Sequence, residues 1–294
     1  MEDLDLLILG AGWTATFLIP LLQKHSLSFA ATTTTGRPVA GQPTIPFRFN
    51  PDDDNARSAI AALPRARSVL VTFPLYGPGP SKFLVESYTS THQSASASAS
   101  STFRIIQLGS TGIWQGKGGQ TFTTGDSPWV DRHSAYDDTN ARAVAEVELL
   151  KLGGCVLNLA GLWGGVRDPR NWVQRVAKTK EEVKGKKSLH LVHGMDVARG
   201  VLQVVRCDGG KWEELGKGQR WMLTDGFVYD WWALLAGWAE GSDGEVSEQA
   251  MWVGELMGEE GVKGLPRAME ALGRCYDSRE FWRVFGMVPV KARV

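Results

Sequence analysis

Apolar residues enter this chain in short runs separated by polar, helix-like stretches. Leu4–Leu9 (LDLLIL) stops at a glycine, the pattern of a parallel strand buried on both faces. Trp13–Lys24 (WTATFLIPLLQK) reads as a helix in which Pro20 introduces a kink or marks a boundary. Ser28–Thr33, Ile45–Phe49, Ser68–Phe73, Arg104–Leu108 and Cys155–Leu159 repeat the strand pattern, and FPLYGPGP breaks the fourth strand. Between them, Asp53–Leu63 and Asp138–Leu152 read as helices, the first with acidic residues where the helix dipole favours them. Alternation of strand and helix predicts a parallel sheet with right-handed crossovers, a doubly wound α/β fold. Tyr88–Thr102 (YTSTHQSASASASST) is Ser/Ala/Thr low complexity with little to bury, and reads as a mobile surface insert. Beyond Trp163 the pattern loosens. It gives a helix over 171–183, a strand at Leu189–Val192, a helix at Asp196–Val205 and a strand at Arg220–Thr224. A mostly helical, Trp-rich remainder ends in SREFWRVFG. That composition predicts a smaller, mainly helical C-terminal lobe.

Charge narrows the classes of partner. Lys+Arg and Asp+Glu are equal at 32 each, so no basic excess points to nucleic acid or an anionic membrane. A small molecule or another protein is the expected partner, with the chain a monomer or homodimer. The three cysteines, Cys155, Cys207 and Cys275, have no CxxC or Cys/His spacing, so no metal site is expected, and their use suits a reducing, cytoplasmic compartment. The start MEDLDLLILGAGW lacks the basic segment and cleavage site of a signal peptide, and no apolar run reaches the roughly 18 residues of a membrane span. Most of the 12 tryptophans are expected to pack a core or lobe, a minority to line an apolar or aromatic pocket.

The first candidate chemistry is ILGAGWTA. Gly10, Gly12 and Ala15 form GxGxxA directly after a strand and opening a helix. The first glycine permits the tight turn, the second lets the backbone approach a pyrophosphate, and the small third residue lets helix and strand pack closely. This context predicts a dinucleotide-binding Rossmann domain over residues 1–165, with the 88–102 insert. A C-terminal substrate lobe would span 166–294, with 188–206 returning to the sheet. Enzymes that use NAD usually carry an acid at the end of the second strand to hold the ribose 2′-hydroxyl. Here FAATTTTGRP offers none, and Arg37 follows instead, a guanidinium able to hold a 2′-phosphate. The expected cofactor is NADP rather than NAD, on Gly10, Gly12, Trp13, Thr14, Ala15, Thr34, Arg37, Pro74 and Arg142. Arg37 read as a plain solvated loop charge is the alternative.

Further along, QLGSTGIWQG (107–116) resembles the SSTGVYG-like end of the fifth strand in the extended and atypical short-chain dehydrogenases, the NAD-dependent epimerase/dehydratase group. NLAGLWGG (Asn158–Gly165) looks like their LRxxGxYG segment, and LHLVHGMDVARGVL (Leu189–Leu202) is similar to their HVDDLA segment. WMLTDGFVYDWW (Trp221–Trp232) resembles a later strand–turn–helix, and DSREFWRVFG resembles the terminal helix of a small subgroup. The resemblance implies a Ser or Thr after the fifth strand, a Tyr acting as acid/base and a Lys four residues on. Ser110 and Thr111 occupy the hydroxyl position, or alternatively cap the strand end. In the family a Glu commonly follows the Lys by four residues. Glu146 matches it, which puts Arg142 at the Lys position and Asp138 at the Tyr position. No other tyrosine restores the spacing. Arg142 could still bind a ribose or stabilise an anion. Asp138 would be a poor acid unless burial raised its pKa, and is alternatively a helix N-cap. Tyr136, His133 and Asp131 are neighbouring candidates. Asn158 stands where many relatives have Arg. His193 and Asp196 match an element that the resemblance makes structural, with Asp196 capping a helix.

Together these readings predict an NADP-dependent oxidoreductase of the atypical type acting on a small apolar or aromatic carbonyl or alkene. Its catalytic candidates are Ser110, Thr111, Tyr136, Asp138 and Arg142. A non-redox isomerase, epimerase, dehydratase or cyclase on the same fold, and a non-catalytic NADP-sensing protein, are the alternatives that the missing Tyr-x-x-x-Lys leaves open.

Overall fold

A computed structural model describes residues 3–93, 103–115, 127–240 and 244–292. The chain divides into two compact units. The first comprises residues 1–113, 137–159 and 194–223, the second residues 114–136, 160–193 and 224–294.

In the first unit, β1 (Leu4–Leu9), β2 (Phe29–Thr33), β3 (Ile45–Pro46), β4 (Ala66–Val71), β5 (Arg104–Ser110), β6 (Cys155–Leu159) and β7 (Arg220–Leu223) form one sheet. Their spatial order is β3-β2-β1-β4-β5-β6-β7, and every pairing is parallel. The order reverses between β1 and β4. In such open sheets ligands bind at that switch point, beyond the carboxyl ends of the strands. Leu6–Leu9 of β1 and Val69–Val71 of β4 have no exposed surface, as strands covered on both faces require.

The helices of this unit are α1 (Trp13–Lys24), α2 (Ala56–Ala61), α3 (Pro80–His92), α4 (Ala141–Lys151), α5 (Gly194–Val205) and α6 (Gly209–Leu215). α1 runs through Pro20, whose side faces solvent. α1 packs on α5 at a close approach that only glycine permits, since a Cβ on Gly194 would overlap the Phe17 ring. Asn140 caps α4, accepting the Arg142 N–H at 3.0 Å. The cap is therefore not Asp138, which lies two residues before it. Nor does Asp196 cap α5. It sits inside the first turn, fully buried, and pairs with Arg199 at 2.8 Å.

The low-complexity reading of 88–102 is corrected at its start. Residues through His92 belong to α3, and Tyr88 is wholly buried. Its hydroxyl donates to the Pro64 carbonyl at 3.0 Å and accepts the Ala66 N–H at 2.9 Å. Residues 94–102 lie outside the described residues.

Short elements build the second unit. Gly161–Trp163 pairs in parallel with Leu191–His193, Ser188–Leu189 antiparallel with Tyr229–Asp230, and Trp129–Val130 in parallel with Cys275–Tyr276. The single helix expected over 171–183 is broken in two, Val173–Val176 and Lys180–Lys184, because Thr179 adopts an extended conformation and caps the second piece. Trp231, Trp232, Leu235, Val253 and Leu256 form this unit's core, with Trp172, Trp238 and Trp252 packed on it. Asp230 caps the helix Trp231–Gly237, and Arg267 closes on the same carboxylate at 2.7 Å while stacking 4.0 Å over Trp232.

Candidate functional site

The glycine loop leaves β1 at its carboxyl end. Gly10 has φ +86°, and a Cβ there would meet Phe73 and Thr72 at 2.9 Å, so only glycine is accommodated. Two threonines fasten the turn. The Gly10 N–H donates to Thr32 Oγ1 at 3.0 Å, and the Thr72 hydroxyl donates to the Gly10 carbonyl. Sequence reasoning did not single out either residue; Thr32 is the penultimate residue of β2 and Thr72 directly follows β4, which is the only trace they leave.

Gly12 differs from Gly10. A Cβ there would meet nothing nearer than the Gly10 carbonyl at 3.8 Å, so the space over it is open. Trp13 and Thr14 begin α1, whose first turn carries no acidic residue, and Ala15 packs at 1% exposure against the strand layer. A helix N-terminus with no acid in its first turn and open space over its glycine fits a pyrophosphate in shape and charge.

After β2 the chain folds back. Thr33 and Thr44 hydroxyls bond at 2.8 Å, Thr44 donates to the Arg37 carbonyl at 2.8 Å, and Val39 pairs with Gln42. The loop holding Thr34 and Arg37 is thus fastened at its base, while both residues are exposed. Among the described residues no carboxylate pairs with the Arg37 guanidinium. That arrangement can receive a phosphate monoester.

Pro74 and Tyr76 follow β4 in a loop docked on α4. The Gly77 N–H donates to the Ala141 carbonyl at 2.7 Å. The Glu148 carboxylate accepts the Gly79 and Lys82 N–H groups at 2.9 and 3.0 Å, which also serves the start of α3. The Arg142 guanidinium lies 6.0 Å from the centroid of the Tyr76 ring.

At the end of β5, Ser110 accepts the Gly112 N–H at 3.1 Å and keeps its own proton to donate. Thr111 is buried, and its hydroxyl donates to the Leu159 carbonyl at 3.3 Å, a strand-end contact. Beneath them lies a buried polar cluster. Glu146 is fully buried and accepts the Asn158 amide at 2.9 Å, the Ser110 N–H at 3.3 Å and Arg220 at 3.4 Å. Asn158 also donates to the Ser110 carbonyl at 3.0 Å. Burial raises the Glu146 pKa, and Asn158 and Arg220 pull it back. Asn158 and Glu146 therefore fix the backbone on both sides of Ser110. Gly109 makes room for them, since a Cβ there would meet Glu146 and Asn158 at 2.5 and 2.6 Å.

The residues expected to bind cofactor, together with Ser110, Thr111, Asp138 and Arg142, lie in the first unit, and the loops after β1, β2, β4 and β5 share the carboxyl edge of its sheet. Asp138 is exposed, in the loop that precedes the Asn140 cap of α4. Tyr136 falls in the second unit, its ring edge-on to Trp114 at 6.5 Å. His133 and Arg132 both contact the Glu280 carboxylate, and Asp131 caps a local turn through Ser134.

The second unit holds a cavity of about 500 Å3 walled by Trp163, Trp238, His193, Arg167 and Arg170. Trp163 meets the His193 ring edge-on at 4.6 Å, a contact that Gly164 allows, since a Cβ at Gly164 would overlap that ring. The Trp163 indole N–H is buried without a hydrogen-bond partner among the described residues.

Solved structures with the same arrangement are recognisable by shape. Vestitone reductase from alfalfa (Medicago sativa) superposes with a TM-score of 0.63 at 15% identity, covering 98% of this chain and 93% of that one. A short-chain dehydrogenase/reductase superfamily protein from Agrobacterium tumefaciens, with bound NAD, gives 0.62 at 12% identity over 98% and 93%. A protein from Methylobacillus flagellatus described as an NAD-dependent epimerase/dehydratase gives 0.60 at 12% identity over 98% and 94%. The chain has their fold. No family model and no curated protein matches it by sequence.

Proposed function

We propose that this chain is an NADP-dependent oxidoreductase of the atypical short-chain dehydrogenase type, acting on a small apolar or aromatic carbonyl or alkene. The observation that carries this reading is Arg37. It is a cation without a carboxylate partner among the described residues, on a loop fastened after β2 where no acid stands, and it shares a sheet edge with the open glycine loop. Gly12, Trp13 and Thr14 would hold the pyrophosphate, and Arg37 the 2′-phosphate. The bound cofactor would supply a hydride. Ser110 then has the part of donor to the substrate oxygen, with its backbone fixed by Glu146 and Asn158. Arg142 supplies a permanent positive charge for a ribose hydroxyl or a developing oxyanion.

Exposed Asp138 at the position of the missing tyrosine favours a second reading, a non-redox isomerase or dehydratase that retains the cofactor. NADPH consumption with a panel of aromatic aldehydes, ketones and enones separates the two. Net oxidation in the wild type that falls by roughly 100-fold or more in Ser110→Ala supports the reductase. Asp138→Asn and Tyr136→Phe then assign the proton. Tight NADPH binding with no turnover on the whole panel would contradict net reduction.

A further inference from the structure

The opposite edge of the first unit's sheet carries a concavity that the reading above does not use. It lies at the amino ends of β1, β4 and β5, about 20 Å of strand away from the glycine loop. Its volume is about 470 Å3, and four arginines, Arg65, Arg67, Arg104 and Arg206, line it beside the Phe103 ring and an apolar floor of Leu27 and Val205. Two of the four are neutralised, Arg65 by Asp3 at 2.8 Å and Arg67 by Asp5. The other two have no carboxylate within ion-pair distance among the described residues.

Arg104 is the more telling of these. It is held in place by the Cys207 carbonyl, 2.6 Å from one terminal nitrogen, and by stacking 5.2 Å over Trp212, so its remaining N–H groups are pre-oriented. The acids closest to it are committed elsewhere. Asp208 caps α6 by accepting the Lys211 N–H at 2.8 Å, and Glu213 pairs with Lys217 at 2.7 Å. Burial lowers the Arg104 pKa, with the Arg67 charge adding to it and Cys207, Asp208 and Glu213 acting against it. Asp3 and Asp208 also line the hollow, but Arg104 and Arg206 remain without an ion-pair partner among the described residues, a cost to the folded state that a bound anion would offset.

We infer that this edge is a second binding site, for an organic phosphate. Forked guanidinium donors match phosphate oxygens. The volume exceeds that of a bare ion, and Phe103 with Leu27 and Val205 offers a surface for an apolar group attached to the phosphate. This inference does not depend on the proposed oxidoreductase activity.

Calorimetric titration of the full chain at low salt, with phenyl phosphate, inorganic phosphate and benzoate as probes, tests it. One equivalent of phenyl phosphate is expected to bind, more tightly than either other probe. The exposed substitution Arg206→Glu, which breaks no internal contact, and Arg104→Ala should each weaken it by about tenfold or more. Arg37→Ala should leave it unchanged. No binding of phenyl phosphate would overturn the assignment. So would binding that both pocket variants retain, or binding lost in Arg37→Ala, which would place the phosphate at the cofactor edge.

Discussion

His190 lies in the second unit at 5% exposure, its Nε2 accepting the Tyr276 N–H at 3.0 Å and its ring 4.4 Å from the Tyr276 ring. Burial, and then the Arg274 charge, lower its pKa to about 3. The folded protein therefore keeps this histidine neutral, while the unfolded chain takes up a proton near pH 6.5. Between those two values the unfolded state holds the extra proton. Stability is thus complete above about pH 6.5 and declines as the pH falls, by about 1.4 kcal/mol per unit for this group. Denaturant titrations from neutrality down to about pH 4 should show that slope, and His190→Gln, which keeps an acceptor for Tyr276, should flatten it. An identical slope in the variant would assign the acid sensitivity to other groups. Burial also separates two residues of the candidate site. Ser110 is set by buried partners, whereas Asp138 is exposed.

α3 illustrates what connects elements. Its last turns look dispensable in sequence, since Tyr88 begins a stretch of Ser, Thr and Ala. In the fold that tyrosine reaches the chain entering β4, bonding both Pro64 and Ala66. Burial raises its pKa to about 12, so it stays protonated and keeps both bonds. Tyr88→Phe would leave a buried N–H and carbonyl without partners and is expected to cost about 1–3 kcal/mol in chemical denaturation. A change below a few tenths would contradict the role given to it. The strands themselves were legible, because runs buried on both faces leave an apolar signature within six residues. The glycine loop was legible for the same local reason. What the sequence concealed were polar contacts between distant positions. Glu148 serves the start of α3 from 66 and 69 residues away, and Asn158 reaches Ser110 across 48. Helix ends moved for a related reason. Thr179 and Asn140 decide them through side-chain bonds that hydrophobic spacing does not register.

Taken whole, the chain is electrically neutral and follows the epimerase/dehydratase and short-chain dehydrogenase structures over 98% of its length. Among the described residues no helix is long and apolar enough to cross a membrane, and no three His, Cys, Asp or Glu side chains gather as metal ligands. In the proposed reading, chemistry at the carboxyl edge would draw on a bound dinucleotide and on the first unit's own hydroxyl and guanidinium groups. Everything proposed for that edge depends on whether NADP binds there and whether Arg37 selects it. Calorimetric titration of the wild type and of Arg37→Ala with NADPH and NADH is the most direct test. NADPH is expected to bind the wild type more tightly than NADH. Arg37→Ala should weaken NADPH by roughly 10- to 100-fold and leave NADH nearly unchanged. Equal affinities for the two cofactors, untouched by the substitution, or no binding of either, would contradict it.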